Sequence, residues 1–443
     1  MAEIIFSIDW LSAESSSPLF RDTSGQLAIH LDNTCLTRNE DVWSSTVRDS
    51  VLVSAYPLAL WLASSWWRLN FEPLPQFNVR PSLDWRMAHE LGAANHGYVW
   101  PRIIFAADGE SVNVWAEQIP AAGQSVQYLY GLDVPHAVPL ASFQRRIDGF
   151  VERVITRLQA LGHRETDLAE LWALIREDRG NPEAWRYRVL EAQMGYDPDE
   201  CSEQIIAEAL KLQDRTGVAA MSELAPVFGR RNGDKSGFNE IVELAAQSGI
   251  QGRPSISSED FERSPHSFKP WQRGVDSARQ LREALGNREK PIKNSEIYDL
   301  LGITERQVDG WSSSEKNRVA IAEPVSGDGF RYVPRKRHPV AKRFEFARLV
   351  GEILDRPQGD SGWLVSTDIA TATQKRQRSF AAEFLCPIDS LVDYLGGEFS
   401  ESSFEDAAEY FNVSEKTIES LLANNGYLGV LSSEPKVPYQ AAA

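Results

Sequence analysis

A chain of 443 residues with 42% apolar residues and 13 tryptophans has the material for about two to four folded domains and is too apolar for a disordered polymer. Its formal charge of −17 repels nucleic acid on average, so nucleic-acid binding would require a local basic patch. The three cysteines, Cys35, Cys201 and Cys386, are far apart and form no CxxC pair, which argues against a disulfide framework and a cysteine-rich zinc site.

The N-terminus carries Glu3 and Asp9 and lacks a basic stretch ahead of a long apolar run, so no secretion signal is expected and the reading is cytoplasmic. Residues 4–8 and 27–31 alternate like strands, and residues 98–105 and 111–115 make a hairpin across the turn at 106–110. Residues 46–67 suggest an apolar helix broken or kinked near Pro57. The apolar tract 50–67 is diluted by Tyr56, Pro57 and serines, which favours a buried core over a membrane span.

Residues 89–96, HELGAANH, begin like the zincin HExxH, in which two histidines four apart share a helix face around zinc. Here Ala93 takes the second position. His96 lies seven residues after His89, roughly 10 Å along a helix axis and too far for one ion. For His89, Glu90 and His96, structural, ligand-facing and metal roles all remain open.

Helical spacing recurs over 151–162, 165–178, 183–194 and 202–217, with Trp172 and Trp185 as expected core anchors, and again over 237–249. Residues 229–270 are rich in Gly, Ser, Pro and charge and suggest linkers around a short helix. No Walker A motif or complete dinucleotide fingerprint occurs. Beyond Pro270 the pattern gives a helix over 275–285, a second short helix within 291–303, a strand over 318–324, and two central helices. In the first, Phe344, Ala347, Val350, Gly351 and Leu354 recur at helical spacing. The second buries Phe380, Ala381, Phe384 and Leu385 before Pro387 interrupts it. Two helices follow over 404–411 and 415–424, the latter capped by Ser414, and then a loose tail. This pair has helix-turn-helix character, yet Glu415, Lys416, Glu419 and Ser420 suit packing better than a DNA groove.

The segments PIKNSEIYDLLGI, RFEFARLVGEIL, SFAAEFLCP and FNVSEKTIESLL, together with the 275–285 helix, resemble in order and landmarks the ImmA/IrrE family of zincin-like metallopeptidases. The resemblance spans about residues 271–428. It implies a core helix like RFTLAHELGH and a later helix that supplies a glutamate ligand. Arg348 then stands at the first His, Leu349 at the catalytic Glu and Glu352 at the second His, while Gln374 and Arg376 flank the expected ligand Glu. Zincin hydrolysis needs three ligands and a carboxylate that takes a proton from bound water, and an arginine supplies neither. The expectation is therefore a pseudo-enzyme with no catalytic residue, metal or other cofactor. An Arg348–Glu352 ion pair at i,i+4 would replace metal cohesion between the helices, with partner binding or plain solvent exposure as the alternatives. Cys386, beside Pro387 and without a local His, is no nucleophile.

A basic tract holds Arg331, Arg335, Lys336, Arg337, Lys342 and Arg343, and a second holds Lys375, Arg376 and Arg378. These suit phosphate, an acidic protein surface or simple solvation.

The expected fold class is α+β. It comprises a mixed α/β module over 1–138, a helical connector over 139–228, a linker-rich segment over 229–270, a mainly helical zincin-like domain with a small sheet over 271–428, and a flexible tail over 429–443. The expected function is a non-catalytic binding or regulatory protein with a protein partner and no membrane association. By family analogy it acts in bacterial stress response or antiviral, mobile-element defence. The alternatives are a DNA- or RNA-binding regulator and a divergent hydrolase with a displaced metal site.

Overall fold

A computed structural model describes residues 2–75, 79–118, 124–229, 237–257, 269–312, 316–326, 328–357, 359–428 and 438. The fold is α+β, with small antiparallel sheets set among helices. The chain divides into two compact units with the boundary after Ile206. The breaks expected from the sequence lie elsewhere, after 138, 228 and 270. The expected tail, apart from Pro438, lies outside the described residues.

In the first unit, β1 (Ile4–Trp10) pairs antiparallel with β2 (Ser24–Leu31), and β3 (Val51–Ser54) joins the other side of β2. Alternation places Ile4, Phe6 and Ile8 with Leu27, Ile29 and Leu31 in the core. The expected kink at Pro57 does not occur. Residues 51–54 are a strand, and α1 (Ala55–Ser64) starts after Ser54, whose Oγ accepts from the Tyr56 amide at 3.3 Å. Pro57 falls in the first helical turn, where a missing amide proton costs no helical bond. The chain breaks instead at Ser65, before α2 (Trp66–Phe71).

Trp66, Trp67 and Phe71 gather around Trp185 with ring centroids 5.3–6.3 Å from it, so Trp185 is the core anchor that its spacing suggests. After α3 (Leu83–His89), the hairpin of β4 (Arg102–Ala107) and β5 (Ser111–Glu117) closes where Asp108 accepts from the amides of Glu110 and Ser111. The helix expected from 151 begins earlier: α4 (Leu140–Ala160) buries Phe143, Ile147, Phe150, Val154 and Leu158 at three- and four-residue spacing. Helices α5 (Asp167–Gly180) and α6 (Pro182–Gln193) complete this core.

Helix α7 (Glu203–Thr216) spans the boundary between the units. The second unit adds α8 (Val218–Phe228) and α9 (Phe238–Ala246), then β6 (Ile250–Gly252). Strand β6 joins β7 (Ala320–Val325), β8 (Gly329–Val333) and β9 (Leu364–Ser366) in one antiparallel sheet of order β6-β8-β7-β9. Much of the stretch expected as linker is therefore structural. Residues 230–236 and 258–268 of it lie outside the described residues.

Helices α10 (Pro270–Ala284) and α11 (Asn294–Leu301) precede the sheet's central hairpin. The two central helices are α12 (Pro339–Asp355) and α13 (Ala372–Leu385). Two glycines permit close approach at α13: a Cβ on Gly274 of α10 would stand 2.3 Å from the Arg376 carbonyl oxygen, and one on Gly351 of α12 would stand 2.5 Å from the Phe380 ring. The chain closes with α14 (Ile388–Leu395), α15 (Glu401–Phe411) and α16 (Glu415–Asn424), whose Ser414 Oγ accepts from the Thr417 amide at 3.3 Å.

Candidate functional site

The seam between α12 and α13 holds the positions on which the metallopeptidase resemblance turns. Pro339 starts α12, where its lack of an amide proton is harmless. Thr371 caps α13 by accepting from the Gln374 amide at 3.2 Å. Between the helices, β9 runs into residues 367–371 and presents backbone groups to both.

Arg348 is 3% exposed, and its Nη2 donates to the Thr367 carbonyl at 2.8 Å and to Gln374 Oε1. Gln374 Oε1 also accepts from the Thr367 amide at 2.8 Å, while its Nε2 donates to the Val365 carbonyl at 3.1 Å. On the second site, Glu352 Oε2 accepts from Arg376 Nη2 at 3.2 Å and from Gln377 Nε2 at 3.1 Å. The Arg348–Glu352 ion pair expected along α12 is not formed. Each side chain reaches across the seam, because α13 and the edge of β9 offer acceptors to Arg348 and donors to Glu352. Leu349 is 1% exposed and packs into the apolar core.

Burial is the main force on the Arg348 guanidinium, and Arg378 and Arg335 repel it further; together they push its pKa down to about 9 against the pull of Glu345 and Asp368. Neutral oxygens hold it in place of a carboxylate. Arg335 is neutralised separately by Glu345 and Asp368.

A residue that sequence reasoning passed over completes the site. Glu223, on α8, is 5% exposed, and its carboxylate accepts from the Thr371 hydroxyl at 2.8 and 2.9 Å. Burial pushes its pKa up to about 7. Thr371 opposes the shift, Glu352 adds to it, and Gln374 and Arg376 oppose it. The available signal was a lone acid within VAAMSELAPVF, an otherwise uncharged and largely apolar helix.

The donor set does not fit a zincin metal. Arg348 offers only N–H groups, Leu349 has no polar atom, and the Glu352 oxygen that faces α13 already accepts two hydrogen bonds. Among the described residues no three His, Cys, Asp or Glu side chains gather as a metal-holding group.

HELGAANH does not form a continuous helix, since α3 ends at His89 and a 3-10 turn follows over Leu91–Ala94. His89 is fully buried and stacks on Trp85 at 4.0 Å. Its Nδ1 lies 2.9 Å from the Phe105 carbonyl oxygen and its Nε2 2.9 Å from Glu72 Oε2. Glu90 accepts from Arg86, and His96 sits edge-on to Phe20. Packing accounts for His89, whereas Glu90 is held by its ion pair with Arg86 and His96 is exposed.

The basic tracts are directed largely inward. Arg331 donates to Glu323 and to the carbonyls of Ala245 and Gln247, Arg343 to Asn294 and the Ile292 carbonyl, and Arg378 to the Ile369 carbonyl. Lys336 lies 3.9 Å from Asp368, and Lys342 sits over the Trp311 ring. Lys375 is half-buried, and Arg337 is exposed.

No protein-family model, curated protein or solved structure matches this chain. No helix among the described residues is long and apolar enough to cross a membrane.

Proposed function

We propose that the protein is a non-catalytic, ImmA/IrrE-like binding or regulatory protein of the bacterial cytoplasm that acts through a protein partner in stress response or mobile-element defence. One observation carries the reading: the positions that the resemblance assigns to metal ligands bond directly to one another, Arg348 to Gln374 and Glu352 to Arg376. Two cross-helix contacts thus stand where a metal would, and neither Arg348 nor Leu349, at the first-ligand and catalytic-acid positions of the resemblance, can take a proton from water. The inward direction of the arginines weighs against a phosphate-binding face.

The purified protein is expected to cleave no peptide or unfolded protein substrate, with or without added zinc. Metal-dependent cleavage abolished by Leu349→Ala or Glu352→Ala would overturn the proposal.

A further inference from the structure

The closing helices α14–α16 present an aromatic face that no described residue of the second unit covers. Tyr394 of α14 and Tyr410 of α15 stack with ring centroids 4.7 Å apart and planes tilted by 20°, yet they remain 44% and 48% exposed. Phe411 holds the pair from below, edge-on to both rings. Phe399, in the link between the two helices, is also exposed. No lysine or arginine among the described residues lies over either tyrosine. The arrangement is rigid, since Leu391, Leu395, Ala407 and Phe411 anchor the two helices in the core.

The charge around this face is one-sided. Residues 388–428 contain nine carboxylates and a single basic residue, Lys416. All nine are exposed, and among the described residues only Asp389 has a cation partner, Arg279 at 3.9 Å. Asp393 and Glu409 immediately precede the two tyrosines, and Asp406 lies one helical turn before Tyr410 on the same face. A guanidinium stacks on an aromatic face and bonds carboxylates in its own plane, whereas phosphate and anionic lipid headgroups are repelled.

From the stacked tyrosines and this charge complementarity we infer that α14–α16 form a docking surface for an arginine-rich segment of a separate protein. The inference goes beyond the proposed function and does not depend on the fate of the metal site. Arginine is favoured over lysine because its planar cation can stack and bond at once.

The test is fluorescence anisotropy of the full chain with a short labelled arginine-rich peptide, its lysine counterpart and duplex DNA. The expected result is binding of the arginine peptide, weaker binding of the lysine peptide and none of DNA. Tyr394→Ala/Tyr410→Ala and Asp406→Lys/Glu409→Lys should each weaken the arginine peptide by roughly tenfold or more. The charge-matched control Asp9→Lys/Glu165→Lys, on exposed acids of the first unit, should leave it nearly unchanged. Far-ultraviolet circular dichroism checks that each variant is folded. Failure of the wild-type chain to bind, equal loss in the control, no loss in the tyrosine variant, or DNA binding to the same face would each overturn the inference. The peptidase assay reads the metal question separately.

Discussion

Substituting Arg348→His, Glu352→His and Gln374→Glu together is expected to create a site that holds a zinc ion per chain. Positions 348 and 352 are one helical turn apart on α12, and both side chains already reach α13. Two imidazoles at that spacing and a carboxylate from the facing helix make three of the four tetrahedral positions, with water as the fourth. Saturation at micromolar free zinc corresponds to about 8 kcal/mol of binding, which appears as a zinc-dependent rise in melting temperature. A second version carries Glu at 376 in place of 374, because both side chains contact the positions on α12 that the resemblance assigns to ligands. No hydrolysis is expected, since Leu349 stays apolar. If both versions fold cooperatively and neither binds zinc, the helices do not stand at the spacing the resemblance requires.

The second large effect is a pH dependence centred on Glu223. Burial pushes its carboxyl up to about 7 from the ordinary 4.5 of an exposed glutamate, so between these values the folded chain holds a proton that the unfolded chain has released. Stability from this group is therefore fully present below about 4.5 and is lost as pH rises through about 7. The loss is on the order of 3 kcal/mol. The groups facing Glu223 are Thr371, Gln374, Arg376 and Arg378 from the α13 region and Glu352 from α12. Glu223→Gln keeps an acceptor for the Thr371 hydroxyl and cannot ionise. Urea unfolding at pH 4.5 and 8.5 should show the variant gaining that increment over wild type at the higher pH. Parallel stability curves would show that the carboxyl is not desolvated in the folded chain.

Elements with a strong local signal were legible from sequence. The apolar rows of α12 and α13, the Ser414 cap and the β4–β5 hairpin each follow from spacing within one segment. The misread elements depend on contacts made elsewhere. Pro57 reads as a breaker until Ser54 is known to cap the helix three residues ahead of it. Strand β6 is three residues long and is defined by its pairing with β8 rather than by its own pattern.

The same limit governs the site. The resemblance alone assigns ligand positions on α12, whereas the direction of each side chain could not be read from that helix. The i,i+4 rule favours an Arg348–Glu352 pair in an isolated helix, where both would be solvated. In the folded chain the Thr367 carbonyl and the side-chain amides of Gln374 and Gln377 compete for the two groups and win. Glu223 belongs to a helix assigned to a different domain by composition, so its approach to Thr371 had no sequence signal beyond an acid out of place.

The central claim is that direct contacts between α12 and α13 stand where a metal would, and the most direct measurement is zinc and other transition metals per chain. The protein should be purified without a metal-binding tag and then offered zinc and dialysed. The account predicts occupancy near zero before and after, with a melting temperature indifferent to chelator. Near-stoichiometric zinc that survives dialysis, with a melting temperature that falls when it is removed, would contradict it.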